Sequence, residues 1–223
     1  MPSLIQIEAA PDLVEKVWHA LLDAICDGSL APGERIMQED IAAQLAVSRQ
    51  PVLQALRLLK KDGFVLDAPG RGVVVAPLDV VQLGQIYQVR SALDALAARL
   101  AAQNRFHLPA ELISHGRKAL KSGRIKPMLE ADARFHGAIY EASGNPLIAQ
   151  SARLHWAHIR RAMGAVLQLA HMRTSIWDEH EAIARAIAAG QADQAEDLMR
   201  RHGQAAGSNL ARLLSRALAG TPV

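Results

Sequence analysis

The spacing of hydrophobic residues divides the chain into two parts with different patterns. In the first part, hydrophobic positions recur at helical spacing from Leu13 to Ile25, from about residue 38 to 45, and from Ser48 to Gly63. The stretch "FVLDAPGRGVVVAPL" follows, in which two β-rich runs flank the turn sequence "APGRG", as is typical of a hairpin. Three helices and a hairpin in this order predict a winged helix-turn-helix domain over residues 1–77.

After about Leu78 the strand pattern ends, and an Ala- and Leu-rich helical periodicity begins. Breaks at "FHLP", "SGNP" and Gly190 help to delimit the helices. We predict six of them, over about residues 79–103, 109–121, 126–142, 146–170, 174–189 and 191–217. Short connections predict an antiparallel, all-α bundle over residues 78–223. The predicted fold class is mainly α: a winged helix-turn-helix with a small β hairpin, followed by this bundle.

Composition and charge narrow the classes of function. Half of the 223 residues are hydrophobic, but no run approaches the roughly 20 residues that cross a bilayer. The start "MPSLIQIEAAPD" lacks the basic and apolar regions of a signal peptide, so we expect a cytoplasmic protein without a membrane partner. The single Cys26 cannot form an internal disulfide, and we expect a buried, inert thiol. The net charge is +3, yet residues 1–77 hold seven basic and ten acidic side chains, so DNA binding there needs a local basic patch.

The third predicted helix provides such a patch, because every charged residue from Ser48 to Lys61 is basic. Ser48 is predicted as the N-cap, and Pro51 is tolerated in the first turn. A helix that enters the major groove offers its first residues to base edges, and its later cations to phosphates. The predicted DNA-contacting residues, with Arg49 as the main base-contact candidate, are Ser48, Arg49, Gln50, Arg57, Lys60, Lys61 and Arg71, the last at the hairpin tip. The alternative is a solvated basic helix face.

This region resembles a known family. "APGERI", "AVSRQPVLQALRLLKKDGFV" and "GRGVVV" are similar to the N-terminal winged helix of GntR-family transcriptional regulators. The resemblance implies double-stranded operator DNA as a partner. Leu53 stands where the family usually has a second arginine, and Glu39 stands where many members carry another arginine. Leu53 could contact a thymine methyl group or alter operator recognition; even so, we expect Arg49→Ala to weaken operator binding.

Four polar residues of the second part share the hydrophobic faces of their predicted helices. Asp132 and His136 are four residues apart, and therefore lie on one helix face. His180 and His202 each fall within the apolar stripe of a later helix. Unpartnered polar groups are costly to bury, and three imidazoles with one carboxylate form a ligand set suited to a divalent metal ion. We favour Zn²⁺, with Ni²⁺, Mn²⁺ or Fe²⁺ as alternatives; hydrogen-bonded core histidines are the other interpretation.

"YQVRSALDALAARLAA", "DARFHGAIYEASGNPLI" and "EHEAIARAIAAGQADQAEDLMRRH" resemble the FCD effector domain of FadR-like GntR regulators over most of residues 79–215. Metal-binding members use an Asp, a His four residues later and two further His, which correspond here to Asp132, His136, His180 and His202. The resemblance implies a metal ion that helps to hold a small carboxylate effector.

Arg90 lies among Ile86, Val89 and Leu93 on a stripe predicted to face inward, where a guanidinium needs an anion. The anion could be the effector carboxylate, or simply Asp94 one turn later. Several other polar residues are interpreted without a ligand: Asn145 as a turn residue or cap, His155, His158 and His171 as ambiguous, and Arg160, Arg161, Arg200 and Arg201 as solvated surface.

The sequence thus predicts a homodimeric transcriptional regulator that binds DNA and responds to a small organic acid at a metal site. Two alternatives remain open. The metal ion could itself be the signal, or three His and one Asp could activate water in a helical metallohydrolase. We expect no enzyme, because the sequence singles out no further general base and an enzyme would leave the winged helix unexplained.

Overall fold

The computed structural model describes residues 13–167 and 175–220 of a chain that divides into two compact units, with the boundary between Pro77 and Leu78. We refer to them as the winged unit and the helical unit. His171 and the predicted helix ends at residues 170 and 174 lie outside the described residues. Within the described residues, no helix combines the length and the hydrophobicity needed to cross a membrane.

The winged unit contains three helices and a three-stranded antiparallel sheet. The helices are α1 (Leu13–Asp27), α2 (Gln38–Gln44) and α3 (Arg49–Lys61), and the strands are β1 (Arg35–Ile36), β2 (Val65–Asp67) and β3 (Val73–Val75). The strand order is β1-β3-β2, with Arg35 opposite Val74 and Val65 opposite Val75. The predicted hairpin is confirmed. β1 is a third strand that was not predicted, because its two residues are too few to show an alternating pattern.

α3 is held in place by its apolar face and by its two ends. Val52, Ala55 and Leu59 have no exposed surface, and α3 packs against α1, whose buried face includes Cys26 as predicted. Ser48 occupies the N-cap position, but its side chain makes no capping hydrogen bond, contrary to the usual behaviour of a serine cap. α3 ends before Gly63, whose φ of 80° suits a residue without a side chain.

The helical unit consists of six helices in its described part. They are α4 (Val80–Gln103), α5 (Glu111–Ser122), α6 (Ile125–Ala142), α7 (Pro146–Leu167), α8 (Ile176–Ala188) and α9 (Ala192–Leu218). Each predicted helix end that falls within the described residues agrees with the observed helix end to within two residues. The mainly helical fold class is confirmed.

Close packing explains where the helices of this unit meet. α4 and α9 form its largest interface, and Gly203 and Gly207 of α9 lie against Ser91 and Tyr87 of α4. A Cβ atom on Gly207 would lie 2.8 Å from the Tyr87 ring, so only glycine lets the two helices approach this closely. The main core contains Phe135, Ile139, Trp177, Ile183, Ile187 and Met199, drawn from α6, α8 and α9.

Two sequence interpretations are wrong at the level of single side chains. Val89, assigned to the inward stripe around Arg90, is 51% exposed, whereas Arg90 and Ser91 beside it are buried. Arg161, interpreted as solvated surface, is only 5% exposed. Arg200 and Arg201 are exposed, and they pair with Glu196 and Asp197 on their own helix.

Candidate metal centre and nucleic-acid interface

Three histidines from three helices of the helical unit come together in its interior. His136 lies on α6, His180 on α8 and His202 on α9, and each is at most 5% exposed. One ring nitrogen of each lies within 4.8 Å of the others, and the Nε2 atoms of His180 and His202 are 3.3 Å apart. The histidine cluster, defined by these three residues, is compact enough for one ion to contact all three rings.

Asp132 adds a carboxylate to the histidine cluster. Its Oδ1 atom lies 3.5 Å from Nε2 of His180, and the residue is 5% exposed. Among the described residues, this buried oxygen has no hydrogen-bond partner. A buried, unsatisfied carboxylate oxygen beside three imidazoles is costly for the folded protein, and a bound cation would relieve that cost. The donor set therefore fits a divalent transition metal.

Burial sets the charge states of these groups. Burial, followed by the Arg90 charge, holds the pKa of His136 well below its ordinary value, so the imidazole is neutral at pH 7. Neutral imidazole is the form that binds a metal ion. Burial also raises the pKa of Asp132, although the nearby Arg90 charge acts in the opposite direction. A cation would favour the ionised carboxylate in the same way.

Two further carboxylates lie close to Nδ1 atoms of the histidine cluster, that of Glu179 at hydrogen-bond distance and that of Asp94 at ion-pair distance only. Glu179 Oε2 lies 2.8 Å from Nδ1 of His202, and Asp94 Oδ2 lies 3.4 Å from Nδ1 of His136. Metal-binding histidines commonly donate their second N–H to such a carboxylate, which fixes the ring orientation. The sequence analysis did not single out Glu179. Its position directly before His180, on the same helix, is a signal that could have identified it.

Aromatic rings enclose the histidine cluster, and the sequence analysis gave them no role at this site. Phe135 stacks on His180 with ring centroids 4.1 Å apart, and Trp177 meets the same imidazole edge-on at 4.6 Å. Trp156 of α7 lies edge-on to His136 at 5.4 Å. These rings limit the rotation of the imidazoles and keep water away from them.

Arg90 is buried as predicted, and its partner is the residue one turn later. Arg90 Nε lies 3.2 Å from Asp94 Oδ2, and the guanidinium carbon lies 3.8 Å above the Trp156 ring. The Tyr140 hydroxyl donates a hydrogen bond to the other oxygen of Asp94. Burial alone would lower the pKa of Arg90, but Asp94 and its neighbours outweigh burial and raise the pKa overall. The intrahelical ion pair is therefore present beside the histidine cluster.

In the winged unit, the seven predicted DNA-contacting residues are all exposed. We call them the reading face: Ser48, Arg49, Gln50, Arg57, Lys60, Lys61 and Arg71. The first three occupy the N-cap and first turn of α3, the next three its later turns, and Arg71 the turn between β2 and β3. Arg35 braces that turn, because its guanidinium donates to the carbonyl oxygens of Pro69 at 2.8 Å and of Arg71.

Leu53 lines a groove of about 370 Å³ between α3 and the β2–β3 turn. The side chain is half-buried, beside Met37 and Leu56. Leu53 therefore has a packing role on the reading side of the winged unit as well as an accessible surface.

Two cations of the reading face are paired with carboxylates. Arg49 Nη1 lies 3.3 Å from Glu39 Oε1 at the start of α2. Lys60 Nζ lies 2.6 Å from Asp67 Oδ2 at the end of β2.

In the helical unit, Asn145 accepts a hydrogen bond from the backbone N–H of Leu147, in agreement with the predicted cap at the start of α7.

Comparison with known proteins assigns both units. The profile of bacterial regulatory proteins of the gntR family matches residues 13–75, and the FCD domain profile matches residues 85–205, which is more than half of the chain. The chain belongs to the GntR family. A GntR-family protein with an FCD domain is a DNA-binding transcriptional regulator, so the predicted family resemblance is confirmed.

Individual relatives agree with this assignment along most of the chain. An HTH-type transcriptional regulator from an unstable DNA locus of Streptomyces ambofaciens is 28% identical over 202 residues, covering 88% of this chain and 84% of the relative. The HTH-type transcriptional regulator LutR of Bacillus subtilis is 29% identical over 201 residues, covering 80% and 92%. The solved structure of McbR from Escherichia coli has the same fold, with a TM-score of 0.77 at 22% identity over 92% of this chain and 99% of McbR.

Proposed function

We propose that this GntR-family regulator binds operator DNA through the reading face and changes its DNA binding when a small carboxylate binds at a metal centre in the helical unit. Asp132, His136, His180 and His202 would hold the metal ion. The observation that carries this proposal is the convergence of three buried imidazoles from three helices, with ligand atoms within 4.8 Å of one another. When bound, a divalent cation would supply positive charge and open positions for a carboxylate effector.

The protein's own residues would prepare that site. His136 is held neutral by burial, and Glu179, 2.8 Å from Nδ1 of His202, would fix the orientation of that ring. Arg90 is the candidate to bind the effector carboxylate, through guanidinium N–H groups that do not contact Asp94. An effector can change DNA binding only if it binds one arrangement of the protein more tightly than another.

We further propose that the protein acts as a homodimer in the cytoplasm. A two-fold symmetric dimer presents two copies of the reading face, and it would recognise a palindromic operator with two half-sites. Arg49 would contact base edges, and Arg57, Lys60, Lys61 and Arg71 would contact phosphates or the minor groove.

Thermal-shift screening tests the effector proposal. The full-length protein is freed of metal with a chelator, reloaded with Zn²⁺, Ni²⁺, Mn²⁺ or Fe²⁺, and screened against a library of small organic acids. We expect one class of carboxylate to raise Tm only in the metal-loaded protein, and His180→Ala to abolish this rise. A carboxylate that binds equally well to His180→Ala would separate the ligand site from the histidine cluster and contradict the proposal.

A second candidate function is direct sensing of the metal ion. The buried pairing of Arg90 with Asp94 favours it, because the guanidinium already has an anion without any external ligand. DNA binding that depends on added metal and needs no organic acid would support this alternative. A helical metallohydrolase is the remaining alternative, and turnover of an ester library by the metal-loaded protein would support it.

A further inference from the structure

The winged unit has an unusual charge for a part of a protein that binds a polyanion. Residues 1–77 contain seven basic and ten acidic side chains, a net charge of −3. Two of these acidic residues, Glu39 and Asp67, lie at the reading face and not on the opposite side of the unit. The carboxylates therefore alter the electrostatics of the surface that meets DNA.

Each carboxylate forms an ion pair with one specific cation. Glu39 approaches Arg49, the candidate base-reading residue, at 3.3 Å, and Asp67 approaches Lys60 at 2.6 Å. Both carboxylates also line the groove beside Leu53, where the basic residues are Arg57, Lys60 and Arg71. The lining thus combines two negative and three positive side chains and provides little net attraction for phosphate.

All four paired side chains are well exposed, between 46% and 74%. Such exposed pairs contribute little to folding stability, so stability is a poor explanation for their position. They do affect binding to DNA, because affinity for any duplex comes mainly from cations that replace the counterions of phosphates. A cation already paired with a carboxylate gains less from a phosphate, and the carboxylate itself is repelled by the backbone.

We propose that Glu39 and Asp67 both weaken binding to DNA of arbitrary sequence, and that Glu39, through its pair with Arg49, is a specificity-determining residue. Hydrogen bonds to base edges depend on sequence, whereas this electrostatic penalty applies to every duplex. Only an operator whose base edges accept hydrogen bonds from Arg49 compensates for the loss of the contact between Arg49 and Glu39. Glu39 thereby increases the ratio of operator affinity to non-specific affinity. This inference rests on the proposed contacts of Arg49 and Lys60 with DNA.

The test compares Glu39→Gln, Asp67→Asn and the double variant with the wild-type protein. Two duplexes are titrated by fluorescence anisotropy at several salt concentrations: one selected from a random pool by the wild-type protein, and one of scrambled sequence. Asp40→Asn is the matched control, because it removes the same charge from the neighbouring position of α2. Asp40 is exposed, and among the described residues it makes no ion pair with the reading face.

We expect each single variant to bind the scrambled duplex about three- to tenfold more tightly at low salt, and the double variant more than tenfold. Each single variant should also steepen the slope of log K against log[salt] by up to about 0.9, corresponding to one further phosphate contact. In Glu39→Gln, binding to the selected duplex should gain less, so the ratio of specific to non-specific affinity falls, whereas Asp67→Asn should strengthen both affinities to a similar extent. Asp40→Asn should change either affinity less than twofold.

Equal gains in Glu39→Gln and Asp40→Asn would show a bulk charge effect and overturn the proposal. Unchanged or weaker binding of the scrambled duplex by Glu39→Gln and Asp67→Asn would also overturn it. Arg49→Ala and Lys60→Ala are measured in parallel. If these two variants leave both affinities unchanged, the proposed DNA contacts themselves are wrong. If they weaken binding while the carboxylate variants have no effect, the contacts stand and only the role of Glu39 and Asp67 fails.

Discussion

The ion pairs near the two candidate sites differ in their exposure to solvent. In the helical unit, Arg90 and Asp94 are 4% and 2% exposed, and they pair beside a buried histidine cluster. In the winged unit, the Arg49 and Lys60 side chains are 69% and 47% exposed, and their partners Glu39 and Asp67 are 46% and 74% exposed. Buried charges must keep their partners, since water cannot replace them. Exposed cations can exchange a carboxylate for another anion, which is what a DNA-binding surface has to do.

The largest effect is expected from breaking the buried pair. Asp94→Asn leaves the Arg90 guanidinium buried without its counter-charge, and we expect a loss of about 3–5 kcal/mol in the free energy of unfolding, measured by urea denaturation of the metal-free protein. The double variant Arg90→Met, Asp94→Asn should recover part of this loss, because no uncompensated charge remains. A single variant as stable as the wild type would mean that the pair is accessible to water.

The next effect concerns packing in the helical unit. A Cβ atom on Gly116 of α5 would lie 2.0 Å from the Trp177 ring of α8, so Gly116→Ala must displace α5 or that ring. We expect a loss of about 1–3 kcal/mol in the free energy of unfolding. Gly84→Ala on α4 is the control, because no atom lies within 4 Å of its Cβ position, and it should be neutral or stabilising. Equal stability of the two variants would contradict the close contact between α5 and α8.

Glu179→Gln tests whether the proposed metal centre depends on its supporting carboxylate. The variant retains the shape of the side chain but weakens its hold on Nδ1 of His202, and we expect metal affinity to fall by about 10–100-fold. Competition with a chromogenic chelator measures this affinity. Glu181→Gln, on the exposed surface of the same helix, should leave it unchanged. Full affinity in Glu179→Gln would show that His202 needs no such support.

The smallest effect is expected at an exposed pair of the same unit. Arg117 Nη2 lies 2.8 Å from Glu181 Oε2 between α5 and α8, with about two fifths of each side chain exposed. A double-mutant cycle with Arg117→Met and Glu181→Gln should give a coupling energy below about 1 kcal/mol. A coupling as large as that between Arg90 and Asp94 would remove the distinction between buried and exposed charges.

Sequence reasoning succeeded where the signal is local and repeated. The six helices of the helical unit and the start of α3 follow from hydrophobic spacing and from breakers such as Gly190, because each turn adds another instance of the same period. The inward positions of Asp132, His136, His180 and His202 follow from the same periodicity. β1 was missed, since two residues carry no detectable alternation.

Other features depend on contacts between elements that are distant along the chain. Periodicity places a histidine on one face of its own helix. It does not determine which other helix packs against that face, or at which position along the helix axis the side chains meet. The approach of His180 to His202, the stacking of Phe135 on His180 and the contact of Glu179 with His202 follow from the packing of α6, α8 and α9. The pairing of Glu39 with Arg49 likewise required the angle between α2 and α3. The sequence alone determined the helices and most of their buried positions. The tertiary structure decided which charges meet, because that depends on how rigid helices pack in three dimensions.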